Sequence, residues 1–298
     1  MISNRALSAQ LLLLGLSATV VSAQPATDIY LGTITVHDGR IQIGQLQNIT
    51  DRDGYDNQPS FTPDGRSLLY TSIRDGQADT YRYDLVGESI APVTRTPESE
   101  YSPTTMPGGA RFSVVRVEAD STQRLWHFDM AGHDPGLLLE EVKPVGYHAW
   151  YDENMVALFV LGSPPSLRIA DIRDGSAEAV AEGIGRSLQR IPSRSAIAFV
   201  HKMSEDDWQV KALDMRTGEI TSLVSTLSGS EDLAWTPDGL IMMGQGSSLY
   251  QWNPERSPDW EIVADLADAG LTAITRIAVS PLGDRAAIVA QRQASERD

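Results

Sequence analysis

The stretch at residues 57–84, NQPSFTPDGRSLLYTSIRDGQADTYRYD, decides the fold, because it returns in degraded form about every 44 residues until the chain ends. The Pro-Asp-Gly segment at 63–65 predicts a tight turn, since Pro presets φ and Gly tolerates the positive φ that closes such a turn. Residues 67–72 then predict one strand, with Leu68 and Tyr70 facing one way and Leu69 and Thr71 the other, and residues 80–83 predict another strand. Each unit is therefore expected to hold four strands separated by turns.

Two markers repeat along the chain with the same phase. The first is the turn, whose anchor residues are spaced by 44, 45, 40, 45 and 44 residues: Pro63, Pro107, Asp152, Pro192, Pro237 and Pro281. The second is a polar residue that closes the third strand of a unit: Asp84, Asp129, Asp171, Asp214 and Asn253. A repeat of this length with four strands is typical of a propeller blade.

The two ends of the repeat complete one another. Two predicted strands, at 29–36 and 40–46, precede the first turn, and two more, at 275–279 and 286–290, flank the last one. Joining the two pairs in one blade closes the ring and removes two exposed sheet edges. The sequence therefore predicts an all-β, six-bladed β-propeller over residues 28–291, with four-stranded antiparallel blades.

Short segments are expected at both ends of this domain. Residues 1–23 have the features of a secretory signal peptide, with Arg5, an apolar core at 11–21 and small residues at the end. The alternative is an uncleaved membrane anchor, although the core is short for a span. Residues 24–27 are predicted to be a linker and 292–298 a disordered tail. We therefore expect a periplasmic or secreted protein with no transmembrane segment after cleavage.

The composition limits the chemistry that the chain can perform. It has no cysteine, which excludes thiol nucleophiles, thiolate metal sites and disulfides. Its formal net charge of −16, from 40 acidic and 24 basic residues, argues against a nucleic-acid partner, because no net basic field attracts phosphates. Basic proteins, cations and neutral ligands stay open as partners. We expect a monomer.

One repeat resembles the blade of bacterial TolB-like propellers, which are relatives of WD-type blades. It spans residues 50–70, TDRDGYDNQPSFTPDGRSLLY, and the match lies in Asp56, the Pro-Ser-Phe segment at 59–61, the turn and the apolar strand after it. Residues 233–239 match nearly as well. The resemblance implies a propeller without the N-terminal α/β domain of TolB and without the hydrolase domain of propeller-bearing peptidases. It also implies a periplasmic or secreted binding scaffold.

Acidic side chains are expected on one face of the ring, which the loops between blades share with the loops from second to third strand. The second group of loops supplies the predicted site for a partner: Asp75, Glu118, Asp120, Glu205, Asp206 and Asp207. The loops between blades are expected to add further acids: Asp51, Asp53, Asp56, Glu98 and Glu100. Such a face predicts binding of a basic protein or peptide of the cell envelope. The alternative is ordinary solvated loop tips.

Three residues are candidate metal ligands. Asp51 and Asp53 stand at alternating positions, which suits the oxygen ligands of Ca²⁺; the alternative is a turn in which Asp caps the backbone. His148 stands beside Trp150 and is a candidate ligand for a divalent ion in the channel. The alternative for His148 is a structural histidine. No other cofactor is indicated.

No catalytic motif is present, since the sequence has neither a GxSxG nucleophile elbow nor a phosphate-binding loop. Phe61, Trp150 and Trp235 occupy equivalent positions and are predicted to wedge neighbouring blades together rather than to stack a ligand. We therefore expect a non-catalytic binding module. The two alternatives are a lyase-type or lactonase-type enzyme with a divalent metal in the channel, and a propeller that serves only as a scaffold.

Overall fold

The computed structural model describes residues 24–292, which form six antiparallel sheets of four strands each. The predicted signal peptide and residues 293–298 lie outside this range. Blade 1 contains β3 (Tyr55–Phe61), β4 (Ser67–Arg74), β5 (Gln77–Asp84) and β6 (Ser89–Pro92). Blade 2 contains β7 (Ser99–Thr105), β8 (Arg111–Val117), β9 (Gln123–Asp129) and β10 (Gly136–Leu137). Blade 3 contains β11 (Val145–Trp150), β12 (Met155–Val160), β13 (Ser166–Asp171) and β14 (Ala177–Glu182).

The remaining strands form three further blades. Blade 4 contains β15 (Ile184–Arg190), β16 (Ala196–Lys202), β17 (Trp208–Asp214) and β18 (Ile220–Ser225). Blade 5 contains β19 (Leu233–Trp235), β20 (Ile241–Gln245), β21 (Ser248–Trp252) and β22 (Glu261–Asp265). Blade 6 contains β23 (Leu271–Val279), β24 (Arg285–Arg292), β1 (Asp28–His37) and β2 (Arg40–Asn48). The predicted six-bladed all-β propeller is confirmed.

Blade 6 closes the ring with strands from both ends of the described chain. Its strand order is β2-β1-β24-β23, and β1 pairs antiparallel with β24 in the register Asp28↔Ala290 and Tyr30↔Ile288. The innermost strand of each blade contacts that of the next, and β23 contacts β3. This closure confirms the predicted sharing of one blade by the two ends.

The two sequence markers both cap turns. In the first unit, Asp64 Oδ1 accepts hydrogen bonds from Thr62 Oγ1 (2.6 Å) and from the Arg66 backbone N–H (3.1 Å). Gly65 follows with φ +66°, a conformation that costs glycine little. The residues that close the third strands accept backbone N–H groups of the following turn in the same manner: Asp84, Asp129, Asp171, Asp214 and Asn253. The repeat therefore marks the turns on one face of the ring.

Buried aromatic side chains join adjacent blades, as predicted. Phe61, Trp150 and Trp235 end innermost strands and are each more than nine-tenths buried. Each belongs to a hydrophobic cluster that crosses to the preceding blade around the ring; the pairs are Phe61 with Ile29, Trp150 with Val115, and Trp235 with Ala198. These clusters place the three side chains at blade junctions, as the wedge role requires, and all three also line a cavity at the centre of the ring.

The strand order gives the ring two distinct faces. The turn face carries the Pro-Asp-Gly-type turns and the loops from third to fourth strand. The inter-blade face carries the connections between blades, of which the longest are 49–54, 93–98, 138–144 and 226–232. It also carries the loops from second to third strand: 75–76, 118–122, 161–165, 203–207 and 246–247. The helical content of residues 24–292 is one 3-10 turn, Ala267–Ala269, so no described helix is long enough to cross a membrane.

Candidate functional site

A channel runs through the centre of the ring and opens on both faces. On the turn face it widens to about 640 Å³, and on the inter-blade face to about 400 Å³. A narrow middle section of about 110 Å³ shares lining residues with both mouths and is lined by all six innermost strands or the residues just before them. The channel is therefore the place where side chains from different blades meet.

A charged cluster from three blades lies in the narrow section. Asp232, just before β19, accepts a hydrogen bond from Arg186 Nε of β15 at 3.0 Å and bonds Arg186 Nη2 as well. Its other oxygen accepts from Arg276 Nη1 of β23 at 3.1 Å. One carboxylate thus bridges two guanidinium groups, and the three side chains are 34%, 12% and 15% exposed for Arg186, Asp232 and Arg276. Charge-assisted bonds of this type are strong and hold both arginines in place.

A second acid neighbours this cluster but is balanced by a lysine. Glu231 Oε2 accepts from the Arg186 backbone N–H at 3.1 Å, and its other oxygen lies 3.7 Å from Arg186 Nε. Lys202 Nζ lies 3.0 Å from Glu231 Oε2. The five charged groups, three basic and two acidic, leave one net positive charge in a chain whose formal net charge is −16.

Three tyrosines line the channel mouth beside the two arginines. Tyr147 accepts a hydrogen bond from Arg276 Nη2 at 3.0 Å, and its ring lies 4.8 Å from the Arg276 guanidinium carbon. Tyr55 is buried, and this burial raises the pKa of its phenol well above the ordinary value, against the opposing effect of Arg276. Tyr55 therefore stays protonated and able to donate. With Tyr101, these residues line the 400 Å³ mouth, which we call the Tyr–Arg cavity.

His148 lies in β11 between blades 2 and 3, is 7% exposed, and lines both the narrow section and the turn-face mouth of the channel. Its Nε2 is 2.6 Å from Ser113 Oγ, which also accepts from Trp150 Nε1 at 2.9 Å and donates to the Thr104 carbonyl oxygen at 3.2 Å. Burial lowers the pKa of His148 to about 3, so the imidazole is neutral. Ser113 has no exposed surface, so its hydroxyl is out of reach of a substrate in the channel. The geometry favours a structural histidine.

The candidate calcium ligands lie in the loop between β2 and β3. Asp51 and Asp53 are exposed, and the Asp51 backbone N–H donates to Asn48 Oδ1 at 2.9 Å. Between them, Arg52 turns inward, with its Nε 3.2 Å from Asp56 Oδ2. Within residues 24–292 no group of three His, Asp or Glu side chains could hold a metal ion. The metal assignment to Asp51, Asp53 and His148 stays a prediction.

The predicted partner-binding acids fall into two groups. Five have exposed side chains in loops of the inter-blade face, and we call them the rim acids: Asp75, Asp120, Glu205, Asp206 and Asp207. Glu118 differs, because Arg124 binds it through two hydrogen bonds and Trp126 Nε1 donates to it at 2.8 Å. The Arg124 bonds, followed by that of Trp126, hold the pKa of Glu118 below its usual value. Glu118 therefore stabilises its own hairpin.

Two acids that were expected on the inter-blade face are instead buried. Asp56 in β3 and Glu100 in β7 occupy equivalent repeat positions, and neither has exposed surface. Burial raises the pKa of Glu100 to about 7, against opposing hydrogen bonds from Thr96 and Thr94. Burial also raises the pKa of Asp56. These carboxyls belong to the blade junctions rather than to a partner surface.

Arg186, Asp232 and Arg276 were not predicted from the sequence, although the repeat contains a signal for two of them. The position five residues before each turn anchor lines the narrow section in every blade: Gln58, Ser102, Tyr147, Ser187, Asp232 and Arg276. All six residues are polar or aromatic with a polar group. Arg186 lies one position earlier in its blade.

Comparison with known proteins supports the fold. No protein-family model matches the chain. An uncharacterized protein of Agrobacterium fabrum is 29% identical over 80 residues, which is 27% of this chain and 27% of that protein. The structure of a putative TolB from Agrobacterium tumefaciens superposes with a TM-score of 0.69 at 15% identity, covering 89% of this chain and 99% of that one. The resemblance to TolB-like propellers is therefore confirmed at the level of fold.

Two further structures broaden the comparison. TolB from Acinetobacter baumannii gives a TM-score of 0.58 at 15% identity and covers 88% of this chain and 64% of that one. An oligogalacturonate lyase in complex with manganese gives 0.56 at 17% identity, with 85% and 82% covered. The same fold thus occurs in TolB and in a lyase, so fold by itself does not separate a binding module from an enzyme.

Proposed function

We propose that this chain is an exported binding module whose partner is a protein or peptide of the cell envelope, engaged on the inter-blade face. The observation that carries the proposal is the grouping of the rim acids on the face where the Tyr–Arg cavity opens. An acidic rim attracts a basic partner over a distance, and a concave centre with aromatic side chains gives the contact specificity. The likeness to TolB structures supports such a scaffold in fold only.

Exposed large apolar side chains occur on both faces: Val86 and Leu282, in turn-face loops, are 72% and 69% exposed, and two others lie on the inter-blade face. Leu161 and Met203 are 42% and 52% exposed, and both lie in loops from second to third strand. Leu161 also lines the Tyr–Arg cavity. A partner that enters the cavity would therefore contact Leu161.

A triple charge reversal tests the proposal. We expect the combined changes Glu205→Lys, Asp206→Lys and Asp207→Lys to weaken capture of partners from envelope extract by at least about tenfold, because the rim would repel a basic surface. Capture by the unchanged protein should also weaken as salt is raised from 50 to 300 mM, since the Debye length shortens from roughly 14 to 6 Å. Captured proteins are identified by mass spectrometry in both cases.

A triple lysine substitution on the turn face controls for the change in net charge. Glu153, Asp174 and Glu219 are exposed in turn-face loops, and their replacement by lysine adds the same total charge. This variant should retain capture. If the triple lysine variant of the turn face fails to capture the partner while that of the rim acids still captures it, the partner binds the turn face and the proposal is wrong.

A metal-dependent lyase is the second candidate, favoured by the manganese-bound oligogalacturonate lyase that shares the fold. Among residues 24–292 no three-residue donor set is present, and Ser113 engages His148 Nε2, although His148 Nδ1 has no hydrogen-bond partner. Elemental analysis of the untagged protein decides between the two. Stoichiometric manganese or calcium, with release of the metal in a His148→Ala variant, would favour the enzyme.

A further inference from the structure

We propose that the Tyr–Arg cavity binds a carboxylate, held by Arg186 and Arg276. The site concerns the channel alone, so it does not rest on the rim acids or on the identity of an envelope partner. Both arginines line the narrow section, the 400 Å³ mouth and a side cavity of about 240 Å³ that opens towards blades 5 and 6. A ligand in the mouth therefore reaches both guanidinium groups.

The charge of the site is the first argument. Asp232 neutralises one of the two arginines, and Lys202 balances Glu231, which leaves one positive charge in the lining. The side chains of Arg276 and Asp232 are 15% and 12% exposed, so water screens this charge less than it screens surface groups. An uncompensated charge at such a place is costly unless an anion accompanies it.

The hydrogen-bond donors are the second argument. A guanidinium group carries five N–H donors and accepts no hydrogen bond. Asp232 accepts hydrogen bonds from Nε and Nη2 of Arg186 and from Nη1 of Arg276, and the Tyr147 hydroxyl accepts one from Nη2 of Arg276. These bonds use a minority of the N–H groups that the two guanidinium groups carry. The Tyr55 phenol, kept protonated by its burial, adds a neutral donor to the same mouth. The cavity thus offers donors in excess and needs acceptors.

The count of charges selects the class of anion. A carboxylate carries one negative charge and matches the single positive charge of the lining, whereas a phosphate dianion would leave the cavity with net negative charge. The planar pair of oxygens in a carboxylate also matches the paired N–H donors of arginine. The acid can belong to the chain end of a peptide or to a sugar acid, and the shared group is the carboxylate.

Titration of the purified chain with small probes tests the proposal. We expect N-acetylglycine to bind at least tenfold more tightly than the neutral N-acetylglycinamide, followed through the arginine Nε–H signals in ¹H–¹⁵N NMR spectra. The same titration is repeated with galacturonate, which represents a sugar acid, and with inorganic phosphate, which represents a dianion. A tighter fit for N-acetylglycine or for galacturonate assigns the source of the carboxylate; tighter binding of phosphate than of either acid overturns the assignment.

Variants connect the binding to the two arginines. Arg276→Gln should weaken N-acetylglycine at least tenfold, whereas Arg190→Gln, which changes an arginine at the turn-face mouth, should leave it unchanged. Asp232→Asn removes the internal negative charge and should tighten the acid several-fold, a gain that misfolding cannot produce. Equal binding of acid and amide by the natural chain, or no response to Asp232→Asn and Arg276→Gln in folded protein, refutes the proposal.

Discussion

The stability of this propeller should depend on pH through Glu100, which lies at the junction of blades 1 and 2. The carboxyl has no exposed surface; Thr94 Oγ1 donates to it at 3.0 Å, and Arg116 Nε lies 3.8 Å from Oε1. Burial is the main cause that raises its pKa to about 7, and Asp79 in the neighbouring strand raises it further. The folded chain therefore holds a proton on Glu100 that the unfolded chain releases near pH 4.5.

The sign and the size of the effect follow from this difference. Because the pKa is higher in the folded state, the contribution to stability is complete below pH 4.5 and is lost as pH rises through about 7. A difference between 4.5 and about 7 corresponds to about 3 kcal/mol of unfolding free energy. Between pH 4.5 and 8, the natural chain should thus lose about 3 kcal/mol relative to a variant that has no ionisable group at this position.

Glu100→Gln is the perturbation that isolates the carboxyl, since the amide keeps its size and its ability to accept from Thr94. Urea unfolding, followed by tryptophan fluorescence from pH 4.5 to 8, gives the unfolding free energy of both chains. The gap between the two curves should change by about 3 kcal/mol over this range, in favour of the variant at high pH. Glu88→Gln, at an exposed position of the turn face, is the control and should follow the natural chain. Parallel curves for Glu100→Gln and the natural chain would refute the burial argument.

Three further predictions concern stability. Ser113→Ala removes the acceptor of Trp150 Nε1 and should cost about 2 kcal/mol in urea unfolding, while N-acetylglycine binding is unchanged. Gly132→Ala should destabilise the chain by at least about 2 kcal/mol in the same assay, because φ is +81° and a Cβ would lie 1.9 Å from the Val93 carbonyl oxygen; Gly175→Ala, with φ +74° and open space around the Cβ, should cost less. Deletion of β24 should abolish cooperative thermal unfolding, since blade 6 then loses the strand that joins β23 to β1; a cooperative transition in the truncated chain would contradict ring closure as the source of stability.

The fold could be predicted from the sequence because the residues that define each turn act locally and recur from blade to blade. Each turn anchor and each strand-closing acid makes its hydrogen bonds within a few residues, as Asp64 and Asp84 do, so the same pattern recurs wherever the same turn is needed. Strand number followed from the spacing, and ring closure followed from the unpaired strands at the two ends. The wedge role of Trp150 was also predictable, because its position repeats in Phe61 and Trp235.

The surface residues show where this local information ends. Rim acids such as Asp206 were placed correctly, because a loop's position in the blade determines which face it occupies. Glu118 was expected to be as free as they are, but Arg124 and Trp126 across its own hairpin engage it. Glu100 was expected on the rim, but the adjacent blade encloses it. Side-chain pairing and burial depend on neighbours that a repeat pattern does not specify.

The channel was decided only by the tertiary structure. Arg186, Asp232 and Arg276 are separated by 46 and 44 residues, and only the circular arrangement of blades 4, 5 and 6 brings them within hydrogen-bond distance. The sequence by itself determined that Asp232 and Arg276 occupy equivalent positions of the repeat, although this signal was not recognised as marking the channel. The sequence did not determine that one carboxylate bridges two guanidinium groups. That contact forms between blades, and the spacing of residues along the chain does not give the distance between their charges in space.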